Sequence, residues 1–169
     1  MVLAPRCFRD EEYLVPRSIL EEGGCEVTTA SSMAGHLKGS RGTWVRADVS
    51  IHEARVSSFD AVVFVGGFGA RVFFDDRGAH RLCREAAAAG KVLAALCVAP
   101  GILARAGVLE WRRATCWPGE KEVLVREGAV YTGEHVTVDG RIVTADGPSS
   151  AREFALAVLA ALERTRPGV

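Results

Sequence analysis

The sequence predicts an α/β fold built on a mostly parallel sheet with helices on both faces. Three observations carry that expectation. Short strand-like runs alternate with helical patterns along the chain, the rhythm of βαβ units. Two of the runs, from Ala61 to Val65 and from Val92 to Leu96, are apolar on both alternating faces, as strands between two helical layers must be. The length of 169 residues suits one core, so residues 1–169 are expected to form a single domain.

The elements follow in order. A first strand is read in "VLAP", whose abrupt start almost at Met1 shortens or weakens it. A helix follows in "EEYLVPRSILEEGG", where Glu12, Val15, Pro16 and Ile19 fall on one face at i, i+3, i+4 and i+7. "CEVTTAS" reads as the next strand. Residues 35–58 hold scattered glycines, a short β-like "TWV" and no helical period, which fits a small hairpin and loop. Beyond the central run from Ala61, the residues Ala79, Leu82, Cys83 and Ala86 mark one helical face that stops at Gly90, with Cys83 turned inward. The run from Val92 leads into Cys97, and a helix is expected to begin near Val98 or Ala99. Pro100 then falls in its first turn, where a missing N–H costs nothing. "EHVTVDGRIVTADG" contains two alternating strands joined by Asp139-Gly140, a hairpin signal. A last helix runs from about Ser149 to Glu163 with Phe154, Val158 and Leu162 on one face.

Composition narrows the function. Lysine plus arginine equal aspartate plus glutamate at 21 each, with no block of one sign, so no nucleic-acid footprint is expected. No apolar run approaches the roughly 20 residues of a membrane span. The opening "MVLAPRCFRDEEY" meets arginine and three acids within twelve residues, unlike a secretory signal, and a cytoplasmic location is expected. Five widely spaced cysteines without CxxC indicate neither a disulfide framework nor a zinc ribbon, and no HxxxH or Cys/His pairing suggests a metal. No cofactor is expected; small molecules and copies of the chain itself are the expected partners.

Three features carry chemistry. Cys97 follows a central strand directly, and ligands of open α/β sheets bind beyond the carboxyl ends of the strands. A sharp turn there would expose its sulfur to free helix amides, which predicts a thiol pKa depressed below about 8.5. Cys25 and Cys83 read instead as packing residues, Cys7, at another strand end, as a packing or peripheral residue or else a neighbour of the site, and Cys116 as ambiguous. The second feature is "VFVGGFGA", whose Gly66, Gly67 and Gly69 allow close backbone approach. The amides of Gly67 and Val98 together would make an oxyanion hole. Because Val72 occupies the place of a last glycine, the GxGxxG pattern of a nucleotide site is absent. The third is Glu12, a carboxylate on an apolar face, four residues before Pro16, which removes the helical partner of the Glu12 carbonyl at a cost of about 3 kcal/mol. Glu11 is expected to face solvent.

"FRDEEYLVPRSILEEGG", "DAVVFVGGFGA", "AALCVAPGILARAGVL" and "VTVDGRIVTADGPSSAREFALAVLAAL" resemble, in that order and over nearly the whole chain, the ThiJ/PfpI superfamily, whose members include deglycases and intracellular proteases and which shares the class I glutamine amidotransferase-like layout. The resemblance implies a flavodoxin-like three-layer sandwich and a homodimer or higher oligomer. It makes Cys97 the reactive cysteine, Glu12 its partner acid, and Gly67 and Val98 the amide donors. Two departures stand out. Protease-type members carry a histidine directly after the cysteine, where this chain has Val98. Deglycase-type members often carry one before a later proline, where "TCWPGE" has Trp117. The amidotransferases' histidine and glutamate are missing around "TGEHVTVDG". His36, His52, His80 and His135 match none of these positions and read as surface or loop residues. Trp44, Trp111 and Trp117 read as packing or interface residues.

By analogy with members acting on methylglyoxal, the resemblance implies a small-carbonyl glyoxalase or deglycase. Cys97 would form a hemithioacetal and Glu12, kept protonated by a nearby thiolate, would move protons. A redox sensor with an oxidisable Cys97 is the rival from another class, and a PfpI-type peptidase with an incomplete triad is a further alternative.

Overall fold

The computed structural model describes residues 1–164. In chain order its elements are β1 (Arg6–Phe8), α1 (Asp10–Glu22), β2 (Ala30–Ser31), β3 (Gly35–Gly39), β4 (Trp44–Ala47), β5 (Val49–Ser50), β6 (Ala61–Phe64), α2 (Arg77–Ala88), β7 (Val92–Leu96), α3 (Pro100–Arg105), β8 (Arg113–Ala114), α4 (Lys121–Arg126), β9 (Val130–Tyr131), β10 (Val136–Asp139), β11 (Ile142–Ala145) and α5 (Ala151–Glu163). The main sheet runs β10-β11-β7-β6, parallel except for the β10 edge. Val2 extends it through parallel bridges to Phe64 and Ala30, which brings in β2 and β5.

Side chains alternate along these strands, and the two faces meet different helices. Val63, Val92, Ala94, Leu96, Val143 and Ala145 pack with Phe154 and Val158 of α5. Val62, Phe64, Leu93, Ala95 and Ile142 pack with Leu82, Cys83 and Ile102 of α2 and α3. This is the expected flavodoxin-like sandwich. Three smaller expectations shift. The first strand reduces to the bridges of Val2, and Arg6–Phe8 leave the main sheet to pair in parallel with β3. The "CEVTTAS" strand shrinks to Ala30–Ser31. None of the three tryptophans is buried: Trp111 is 81% exposed, while Trp117 packs edge to face on Phe68 and Trp44 on His36 at the surface.

The glycine-containing stretch forms the expected hairpin, β3 against β4, in a small sheet of order β1-β3-β4. Its loop is held by one carboxylate. Asp10, at the start of α1, is buried and accepts the backbone N–H of Arg41 at 2.8 Å and of Thr43 at 2.9 Å, with the Ser40 hydroxyl at 3.3 Å. Leu3, Phe8, Tyr13, Leu37, Ala47 and Val65 complete a separate apolar cluster beneath it, fixing where α1 begins.

Burial alone would raise the Asp10 pKa, but the donors from Thr43 and Arg41 outweigh it and hold the carboxyl at about 2, below its ordinary 3.8. A pKa depressed on folding gives stability that is present above the unfolded value and lost as pH falls through the folded one. Asp10→Ala is expected to lower unfolding free energy by about 2 to 3 kcal/mol at neutral pH, because two backbone donors lose their acceptor. Urea unfolding should show that deficit shrinking as pH drops from about 4 toward 2.

Candidate active site

Cys97 stands where the chain leaves β7. Its φ of 61° lies in the left-handed region, a conformation that costs a non-glycine residue about 1 to 2 kcal/mol. The surrounding backbone holds it there: the Cys97 N–H donates to the Ala145 carbonyl at 2.9 Å, and its carbonyl accepts from the Trp117 N–H at 2.8 Å. The turn continues through Ala99 into α3, which begins at Pro100, one or two residues later than expected, with the proline still in the first turn. The helix is only six residues long and the cysteine is half-buried, so both dipole and exposure are less than the sequence suggests.

Beside it, the turn after β6 has no space for side chains. A Cβ on Gly66 would lie 2.4 Å from Glu12 Oε2 and 2.7 Å from the Cys97 Cβ. One on Gly67, where φ is 97°, would lie 2.5 Å from the Arg9 nitrogen and 2.6 Å from the Cys7 carbonyl oxygen. These close approaches leave the N–H groups of Gly67 and Val98 near enough to the Cys97 sulfur to favour its anion. The structure therefore brings Cys97, Glu12, Gly67 and Val98 together.

Glu12 is completely buried on α1, along with Tyr13, Pro16 and Leu20. The buried face differs from the expected one, since Val15 is 36% exposed and Ile19 only half-buried. Glu11 is partly exposed and pairs with Arg9 at 2.8 Å and Arg41 at 2.9 Å. The Glu12 carboxyl lies close enough to the Cys97 thiol and the Gly66 N–H to feel both, yet neither of its oxygens makes a well-formed hydrogen bond. Burial is the main reason its pKa rises, from 4.5 to about 7, and nearby donors, Cys97 first, only partly offset it. The expected cause, a thiolate charge, is thus the wrong one. The expectation of a depressed thiol is also overturned: burial first, and then the charge of Glu12, push Cys97 up to about 12 against the pull of the Gly67 and Val98 amides. The raising contributions from Glu12 vanish when that acid is protonated. The two groups titrate as one unit that keeps at least one proton through the neutral range.

Of the other expected residues, Cys7 borders this cluster through its carbonyl, which lies against Gly67. Cys83 and Cys116 are buried and Cys25 half-buried, while Cys7 is exposed on β1 at a φ of 57°. His135 is exposed and bonds Asp146 at 2.7 Å; His80 contacts the Phe74 carbonyl at 2.7 Å. Sequence reasoning missed Phe68 and Glu120. Phe68 follows Gly67 and meets Trp117 edge to face, and Glu120 is a buried acid paired with Arg71. Among the described residues no group of three or more His, Cys, Asp or Glu side chains converges as a metal site, and no helix is long and apolar enough to cross a membrane.

A family model described as the DJ-1/PfpI family matches residues 1–161. A deglycase of Pyrococcus abyssi is 33% identical over 158 residues, 91% of this chain and 95% of the relative. A glutathione-independent glyoxalase of Caenorhabditis elegans is 27% identical over 163 residues, 96% of this chain and 87% of the relative. The crystal structure of a ThiJ/PfpI domain protein from Brachyspira murdochii superposes with a TM-score of 0.95 at 33% identity, covering 96% of this chain and 94% of that one.

Two outcomes test the coupling. Because the Glu12 charge raises the thiol, Glu12→Gln should move the pH midpoint of Cys97 alkylation by iodoacetamide downward; an upward shift would mean that Glu12 mainly serves the thiolate as a donor. A carboxyl whose folded pKa exceeds its unfolded value keeps a proton that the unfolded chain loses, so stability falls as pH rises between the two. Native unfolding free energy should therefore carry a decline of about 3 kcal/mol between pH 4.5 and 7 that Glu12→Gln lacks.

Proposed function

The chain belongs to the DJ-1/PfpI family, and we propose that within it this protein is a cysteine-dependent enzyme acting on small 2-oxoaldehydes, with Cys97 as nucleophile and Glu12 as proton carrier. The observation that carries this reading is a buried carboxyl with unpartnered oxygens against a thiol held at a strained strand end. Strain and unsatisfied polar atoms gathered at one place are marks of a functional site. The deglycase and glyoxalase names of the relatives support the substrate class.

The pair reacts through its thiolate and carboxylic-acid form. The Cys97 sulfur adds to the aldehyde carbon, and the oxygen that gains charge meets the Gly67 and Val98 amides. Glu12 gives its proton to that oxygen, completing a hemithioacetal. The carboxylate then takes the hydrogen from the former aldehyde carbon as a proton and returns it to the neighbouring ketone-derived carbon, while the hydroxyl proton on the former aldehyde oxygen passes to the former ketone oxygen, leaving a 2-hydroxyacyl thioester on Cys97. Water cleaves the thioester, releasing the 2-hydroxy acid and restoring the thiol. The sum adds one water to the 2-oxoaldehyde, with no external oxidant or reductant.

Peptide hydrolysis has less support, since Val98 and Trp117 supply no base at the positions where the resemblance expects histidine. Oxidation sensing is favoured by the same carboxyl, because a protonated Glu12 would donate a hydrogen bond to a sulfinate on Cys97. The exposed Leu14 and Val15 on α1 offer apolar surface to the homodimer or higher oligomer that the resemblance implies.

The test is methylglyoxal consumption with detection of lactate. Cys97→Ser should abolish turnover, and Glu12→Gln should lower it by about 10²- to 10⁴-fold, the range for loss of a positioned proton carrier. A native protein verified as reduced that turns over no 2-oxoaldehyde would sink this reading. A stable gain of two oxygens on peroxide treatment, seen by intact mass, would then favour sensing.

A further inference from the structure

Two aromatic rings flank the elbow and take no part in the proton chemistry above. Phe68 directly follows Gly67, and Trp117 donates its backbone N–H to the Cys97 carbonyl at 2.8 Å. Each ring is thus one residue or one hydrogen bond away from a group at the thiol. Their centroids lie 5.7 Å apart with the planes at 85°, an edge-to-face pair. Even so, Phe68 is 65% exposed and Trp117 37% exposed, so the pair leaves much of its apolar surface in water.

The rings are held in place on both sides. The Arg71 guanidinium lies 5.0 Å from the Phe68 centroid and pairs with Glu120, which is only 4% exposed. The Trp117 ring crosses Gly119 so closely that a Cβ there would come within 2.2 Å of it. The turn after β6 and the turn from residue 117 to 120 are therefore joined beside Cys97 through two contacts, ring on ring and guanidinium on carboxylate. At 117, where the resemblance puts a histidine in deglycase-type members, this chain has an indole, an apolar surface in place of a base.

We propose that Phe68 and Trp117 form a specificity wall of the carbonyl site, and that the preferred substrate is a 2-oxoaldehyde carrying an aromatic group, an arylglyoxal in chemical class, over methylglyoxal. The inference rests on the glyoxalase reading. Once the aldehyde carbon reaches the Cys97 sulfur and its oxygen reaches the Gly67 amide, Phe68 is the residue that follows that amide in the chain and Trp117 is tied to the Cys97 carbonyl. The ketone substituent is the part of the substrate left to cover the wall. A methyl group covers little of either ring, whereas a phenyl group buries apolar surface and adds a third aromatic contact. A carboxylate or phosphate substituent would meet Arg71 already paired with Glu120.

The experiment has a binding arm and a kinetic arm. With Trp44 and Trp111 changed to Phe, Trp117 is the sole tryptophan, and Cys97→Ala in that background prevents covalent addition. Mandelate and lactate, the 2-hydroxy acids from phenylglyoxal and methylglyoxal, are titrated against Trp117 fluorescence. Mandelate should bind about tenfold tighter or better, and Phe68→Ala should erase most of that difference. In otherwise native protein, the ratio of kcat/KM for phenylglyoxal to that for methylglyoxal should fall about tenfold in Phe68→Ala and Trp117→Ala and survive in Trp117→Phe. Turnover of both aldehydes at a ratio that neither alanine variant changes, or equal binding of the two acids, would overturn the wall and leave the chemistry intact. Selective mandelate binding with no turnover of either aldehyde would overturn the glyoxalase reading and leave the wall as an aryl-binding surface.

Discussion

Three stretches of chain converge on residues that offer only backbone: the start of α1, the turn after β6 and the elbow after β7. Gly66 lies against Glu12 and Cys97, and Gly67 against Cys7 and Arg9, with no space for even one added carbon at either position. That closeness decides the rest of the site. It presses the carboxyl and the thiol together, leaves the Gly67 amide near the sulfur, and puts Phe68 next in the chain to that amide. Any side chain at Gly66 or Gly67 would have to push one of the three segments away, and the geometry around Cys97 would go with it.

Two acids on α1 show what that environment does. Asp10 and Glu12 are both buried, two residues apart. Asp10 accepts two backbone N–H groups and a hydroxyl, and its carboxyl titrates below the ordinary range. Glu12 has no such set of donors and titrates above it. One carboxylate fastens a hairpin and the other is left poised. The difference comes from donors rather than depth. Pro16 and the left-handed Cys97 add further local cost at the same place, which the packed sandwich beneath offsets.

Much of this was legible from residue patterns. The doubly apolar runs identified the central strands, because only a strand covered on both faces tolerates that pattern. Pro16 four residues after Glu12, and Cys97 at a strand end, drew attention through broken local rules to two residues that the fold brings together. The helical face containing Glu12 was misread in part, since the Pro16 helix turns Tyr13 and Leu20 inward instead of Val15. The thiol pKa was misread in direction. A sequence shows that amides and a helix follow a cysteine, but the burial that outweighs them and the charge of an acid 85 positions away are tertiary facts. Phe68 and Glu120 carried no periodicity or motif to announce them.

The central claim is that Glu12 and Cys97 hold their protons as one buried pair. Carbon-13 NMR of selectively labelled protein, following the Glu12 carboxyl and the Cys97 Cβ through one pH titration, tests it most directly. The account predicts that the carboxyl changes near 7 and that the cysteine signal responds at the same midpoint. A carboxyl midpoint near 4, with the cysteine silent through it, would contradict the claim.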